Sequence, residues 1–87
     1  MEKFYFTFGS SDGFPEECRN GFVLVRAKSW KDAIRIFRQH YPDRYENTVN
    51  CAFFYSQEEW DRSIAKWYDG KEPARVFEQE GTCLWTA

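Results

Sequence analysis

Histidine and cysteine are scarce in this chain of 87 residues, which has one of the first and three of the second. Cys18, Cys51 and Cys83 are odd in number, widely spaced and without a C-x-x-C pair. That argues against a disulfide framework or a zinc site and predicts free thiols. His40 falls on the flank of a predicted helix near its C-terminal end, where an imidazole gains from the helix dipole without any catalytic role. No Ser, Cys or Asp beside it spells a nucleophile motif, although triad partners can be distant in sequence. Gly9-Ser10-Ser11-Asp12-Gly13 has the composition of an anion-binding nest. It lacks the lysine and the following helix of a P-loop, and Asp12 would repel phosphate. Glu58, Glu59 and Asp61 form the densest acidic group, and acids at a helix start need no metal to explain them. No cofactor, no metal and no catalytic residue is expected, and the chain reads as a non-enzyme.

Long apolar runs are also missing. Nothing approaches the ~18 residues of a membrane span. The opening MEKFYFTFG has no signal-peptide apolar region of adequate length, so the expectation is a cytoplasmic protein with no membrane partner. Excess positive charge is absent as well: the net charge is −2, which argues against generic nucleic-acid binding, a property that needs a basic face. The balance is uneven. Residues 1–44 carry eight Lys/Arg against six Asp/Glu, and residues 45–87 carry four against eight. Such an asymmetry reads first as solvated surface.

Aromatic residues are what the chain has in plenty: 9 Phe, 5 Tyr and 4 Trp. A domain this short buries only about 60–65% of its unfolded surface, and a few rings of about 150–250 Å² each fill a small core. The surplus is material for a binding patch.

The strongest local pattern is SWKDAIRIFRQHY, residues 29–41. Trp30, Ala33, Ile34, Phe37 and Tyr41 form one apolar stripe at helical spacing. Ser29 stands at the N-cap with Asp32 three residues on, and Pro42 stops the helix. FYFTF, residues 4–8, alternates as a strand and ends at Gly9; a polar loop of a dozen residues follows, long for a hairpin connection. FVLVRAK, residues 22–28, is a second strand, with Val23, Val25 and Ala27 facing the helix and Leu24 and Arg26 facing away. VNCAFFY, residues 49–55, is a third, with Cys51, Phe53 and Tyr55 inward and Phe54 outward. Ser56-Gln57-Glu58-Glu59 spells a capping box that opens a second helix over residues 57–68. Its apolar face is Trp60, Ile64, Trp67 and Tyr68, and Gly70 is the C′ residue. ARVFEQ from Ala74 and TCLWT from Thr82 read as two short strands joined by a turn at Glu80-Gly81. The expectation is a single α+β domain over residues 1–87, β-β-α-β-α-β-β, with a mostly antiparallel sheet covered by helices.

Two candidate surfaces follow. The outward strand face would present Tyr5, Leu24, Arg26 and Phe54, joined by Asp12 and Phe14 of the long loop, as a protein-binding patch. Lys28, Lys31, Arg35 and Arg38 form the one basic stripe, either a solvated helix flank or a nucleic-acid or nucleotide site. Tyr5 and Phe54 could stack bases as in RNA-recognition sheets, but the RNP1 spelling is absent.

Phe4-Tyr5-Phe6-Thr7-Phe8-Gly9-Ser10, then Gly21-Phe22-Val23, then Ala27, Ala33, Phe37 and Tyr41, then Ala52-Phe53-Phe54-Tyr55-Ser56-Gln57-Glu58-Glu59, carry a resemblance. Over residues 4–60 the chain resembles a group of small phage and prophage proteins of Gram-positive bacteria that share the FYFTFGS opening. The resemblance implies an accessory protein of a mobile element inside a bacterial host cell. Proteins of that context frequently block host defences, as anti-CRISPRs do, which makes a host defence protein, such as a CRISPR effector, the implied partner. It carries no catalytic residues over to this chain.

Overall fold

The computed structural model describes residues 1–10 and 13–79. Asp12, Cys83, the turn at Glu80-Gly81 and the strand expected from Thr82 lie outside the described residues. Within them the elements are β1 (Glu2–Thr7), β2 (Phe22–Ala27), α1 (Trp30–His40), β3 (Phe53–Ser56), a helical run over residues 57–68 labelled α2, and β4 (Arg75–Glu78). A single 3₁₀ turn, Glu16–Cys18, interrupts the long β1–β2 connection. The four strands form one sheet in the order β3-β1-β2-β4, an α+β arrangement with a helical element on each face.

α1 forms for the reasons its sequence supplies. The Ser29 hydroxyl accepts from the Asp32 N–H at 3.3 Å, and Tyr41 closes the last turn onto the Phe37 carbonyl at 2.8 Å. Its buried side is wider than the five-residue stripe, because Ile36 is buried too. That side lies on Phe4, Phe6 and Phe8 of the β1 segment and on Val23, Val25 and Ala27 of β2. Phe6 and Phe37 stack at 4.2 Å between ring centroids. The small residues of β2 lie under the helix as the alternation predicts, and the bulky aromatics come from β1. Cys18, from the 3₁₀ turn, closes the same core as a free thiol. Cys51 is half-buried and also free, and burial pushes its thiol up to about 12.

The opposite face is covered as well, by α2, and this overturns part of the sequence reading. Tyr5 and Phe22 turn to that side and are buried beneath Trp60. Tyr5 is therefore a core ring and not an exposed one. β3 is shorter than expected, starting at Phe53, and its two faces are exchanged relative to the expectation. The antiparallel register sets Phe54 opposite Phe6 and Tyr55 opposite Tyr5. Phe54 therefore lies on the α1 side, against Phe6 and Trp30, while Tyr55 packs with the α2 layer. With both faces covered, alternation alone carries no direction.

The last described strand adds a parallel pairing to a sheet that is otherwise antiparallel as expected. β4 pairs with β2 in parallel, Val23 opposite Arg75 and Val25 opposite Phe77, so the sheet is mixed, with two antiparallel pairings and one parallel among the described strands. The crossover from β2 to β3 passes through α1 on one face, and that from β3 to β4 passes through α2 on the other, in the opposite direction. Both therefore have the same hand, as the strong preference for one handedness of parallel crossover requires.

Hydrogen bonds tie the carboxylates of Glu17, Asp32 and Glu59, among others, to the fold. Glu17 accepts from the Tyr41 hydroxyl at 2.7 Å, Asp32 from the Gln79 amide at 3.0 Å, and Glu59 from the Ser56 N–H at 3.0 Å in the capping box. Each bond favours the ionised form and holds its carboxyl below the usual range. Below the ordinary carboxylate range the unfolded chain thus binds more protons than the folded one, and stability falls as pH falls. The melting temperature measured at pH 3 should lie below that at pH 7. An equal or higher value at pH 3 would show that these bonds contribute nothing.

Candidate functional site: an aromatic cleft beside the third strand

The α2 run starts as an α-helix, Gln57–Glu59, widens to a π-turn, Trp60–Ile64, and tightens to 3₁₀ at Ala65–Tyr68. The Ala65 N–H reaches back to the Trp60 carbonyl, five residues away. A π-turn holds one residue more than an α-turn, so everything after it is rotated around the axis. Trp60, Ile64, Ala65 and Tyr68 remain on the sheet. Trp67, which regular spacing would place in the core, is carried outward and is 72% exposed. Gly70, at φ +81°, then turns the chain away in a left-handed conformation that suits glycine.

Trp67 comes to lie beside β3. Phe53, Tyr55, Ile64, Trp67 and Tyr68 line a cleft of about 400 Å³ together with Thr7, Phe8, Gly9 and Ala52. Among the described residues no charged side chain is in that lining. Phe53 is 65% exposed, and the Lys66 ammonium rests 5.7 Å from the centroid of the Trp67 ring. The Thr7 hydroxyl donates to the Phe53 carbonyl at 3.2 Å and fixes the end of the strand. Large uncharged rings with little else to pack on can remove apolar surface from water on a partner, and aromatic residues are enriched where interfaces concentrate their energy.

The residues chosen from sequence are dispersed rather than gathered. Leu24 is half-buried under the α2 layer, and Arg26 is exposed but paired with Glu78 at 2.9 Å. Phe54 is 43% exposed at the rim of the α1 side, and Phe14 packs edge-on against Phe8. In the basic stripe, Arg35 pairs with Asp32 at 3.4 Å and Arg38 with Asp43 at 3.0 Å, while Lys28 and Lys31 are exposed. His40 is exposed and lies flat on Phe77, ring centroids 3.8 Å apart.

Spacing assigns Phe53 and Trp67, the two most exposed rings of the cleft, to the core. The signal for Phe53 was the presence of a second apolar helix, which demands a second buried sheet face. For Trp67 there was none, because a π-turn leaves no mark in the hydrophobic pattern. Among the described residues no three His, Cys, Asp or Glu side chains form a metal-holding group, and no helix is long and apolar enough to cross a membrane. Comparison of the chain with protein-family models, with curated proteins and with solved structures found no match.

Proposed function

We propose that this chain is a non-enzymatic binding protein that inhibits a host immune effector by protein–protein contact, using the aromatic cleft as its docking face. The observation that carries protein binding is the pair of rings Phe53 and Trp67, 65% and 72% exposed, lining one cleft with no charged side chain among its described residues. The assignment of the partner to host defence rests on the resemblance of residues 4–60 to phage and prophage proteins. The alternative, a nucleic-acid or nucleotide site on Lys28, Lys31, Arg35 and Arg38, has less support, since two of the four cations already face carboxylates.

The test is co-purification from bacterial host lysate, followed by affinity measurement with the partner recovered. The double variant Phe53→Ala, Trp67→Ala should weaken binding by at least ~2 kcal/mol, as loss of interface hot spots does. Lys31→Ala with Arg35→Ala should matter much less. Binding that instead depends on the two cations, and that falls steeply between about 50 and 200 mM salt as phosphate contacts require, assigns the chain to nucleic acid.

A further inference from the structure

β3 ends the sheet. It pairs with β1 on one side, and no described strand lies on the other. The alternation of main-chain groups along a strand assigns them to the two sides. Phe8 donates its N–H to the Gly21 carbonyl at 3.2 Å, so the even-numbered residues of the β1 segment turn their main-chain groups to β2. Tyr5 and Thr7 then turn theirs to β3, where Tyr55 and Phe53 stand opposite them. Phe54, between those two, presents its N–H and C=O to the open edge. Its neighbours along that edge are already engaged. The Ala52 N–H donates to the Thr7 carbonyl at 2.8 Å, and the Ser56 N–H to the Glu59 carboxylate at 3.0 Å.

Open strand edges are commonly blunted by charge or proline, which keeps other strands from pairing with them. β4, at the other end of the sheet, carries Arg75 and Glu78. β3 has no such protection: from Asn47 to Gln57 the sequence contains no charged residue and no proline. Rings rim it instead. Phe53 and Trp67 lie on the α2 side, and Phe54, beside Trp30, lies on the α1 side.

The pattern of this edge is complementary to itself. Two copies that meet edge to edge in antiparallel fashion are related by a two-fold axis, and the residue on the axis faces its own copy. Free outward main-chain groups place Phe54 there, where the two copies exchange N–H to C=O hydrogen bonds. Phe54 then faces Phe54 of the second copy on one side of the joined sheet, and Phe53 faces Tyr55 of the second copy on the other. These facing pairs are ring on ring, and no charge meets its like. At about 150–250 Å² per ring, the exposed parts of Phe53, Phe54 and Trp67 amount to about 350 Å² per copy. With the strand backbone, the two copies together bury about 1,000 Å², the lower limit of a specific interface. We propose that the chain forms a two-fold dimer by pairing of its β3 edges, with Phe54 on the axis. At that size the dimer forms at high concentration and dissociates on dilution. It covers Phe53 and Trp67, so a second copy and the partner proposed above exclude each other. The dimer itself does not rest on that partner, and its test needs none.

The experiment joins sedimentation equilibrium of the full chain with amide hydrogen exchange of the ¹⁵N-labelled chain, both from about 10 µM to about 1 mM, the range of weak association. The mass should rise from monomer toward dimer. At the upper end the Phe54 amide should exchange at least about tenfold more slowly than at the lower end, while that of Tyr55, which faces β1, changes little. Phe53→Glu and Tyr55→Lys should each weaken the dimer by at least about tenfold. An equimolar mixture of the two variants should dimerise again, because the register sets position 53 of one chain opposite position 55 of the other. Phe53 is 65% exposed, so its variant should fold, and the exchange measurement needs no variant. The proposal is overturned if the chain stays monomeric throughout that range, or if it associates while exchange at Phe54 is unchanged. It is equally overturned if Phe77 on the β4 edge becomes protected instead, or if the mixture of folded variants stays monomeric.

Discussion

Phe37→Ala should destabilise the domain by about 3–5 kcal/mol, the usual cost of removing a buried phenylalanine ring. The ring is fully buried and touches three others: Phe6 at 4.2 Å, Tyr41 at 5.1 Å and Phe8 at 6.0 Å between centroids. These contacts join α1 to β1, so the cavity left behind lies between the helix and the sheet, where neighbours on rigid elements collapse poorly. Against a total of about 5–15 kcal/mol for a typical domain, the loss leaves the variant partly unfolded at room temperature or close to it. Urea denaturation followed by circular dichroism measures it. A cooperative transition at the wild-type urea midpoint would mean that α1 does not face β1 through Phe37.

Trp60→Ala should cost a similar amount, about 3–5 kcal/mol, on the other side of the sheet. Trp60 stacks on Tyr5 with centroids 4.1 Å apart and planes 5° from parallel, and it also meets Phe22 at 4.8 Å and Tyr68 at 5.2 Å. Without it the α2 layer keeps only half-buried contacts to the sheet. Trp67→Ala, seven positions on in the same helical run, should change stability by no more than about 0.5 kcal/mol, as exposed substitutions do. The contrast tests the π-turn itself. A regular α-helix would bury both tryptophans, and the two variants would then be equally damaging.

The parts of the fold legible in the sequence are those where one face is decided by one neighbour. α1 carries its start, its stripe and its stop within residues 29–42, and β2 separates small from large side chains cleanly because a helix lies close on one side of it. β3 is different. Its residues Phe53, Phe54 and Tyr55 are all large and apolar, so either alternate set could face the core, and pairing with β1 through Phe6 and Phe54 decides between them. Tyr5 follows the same rule: alternation turns it away from α1, and the α2 layer on that side buries it. The parallel pairing of β4 was hidden because a short strand near a turn signal reads most simply as half of a hairpin. Of the candidate sites, the aromatic cleft depends on a helical irregularity that no residue pattern announces.

The strand order has a consequence for how the protein is made. β1 and β2 are the central strands and are synthesised first, yet each waits for a later segment to cover its outer edge: β3 for β1, β4 for β2. Roughly fifty residues separate paired positions such as Val23 and Arg75. At the usual elongation rates the ribosome needs about 3–10 s to add them. Throughout that interval the FYFTF strand and the aliphatic edge beside it lack their partners and form an unfinished template for any extended chain nearby. Capture of these bare edges competes with completion of the sheet, and the yield of folded protein is expected to follow that competition. Lower expression temperature and early chaperone binding should raise it, even though neither alters the finished fold.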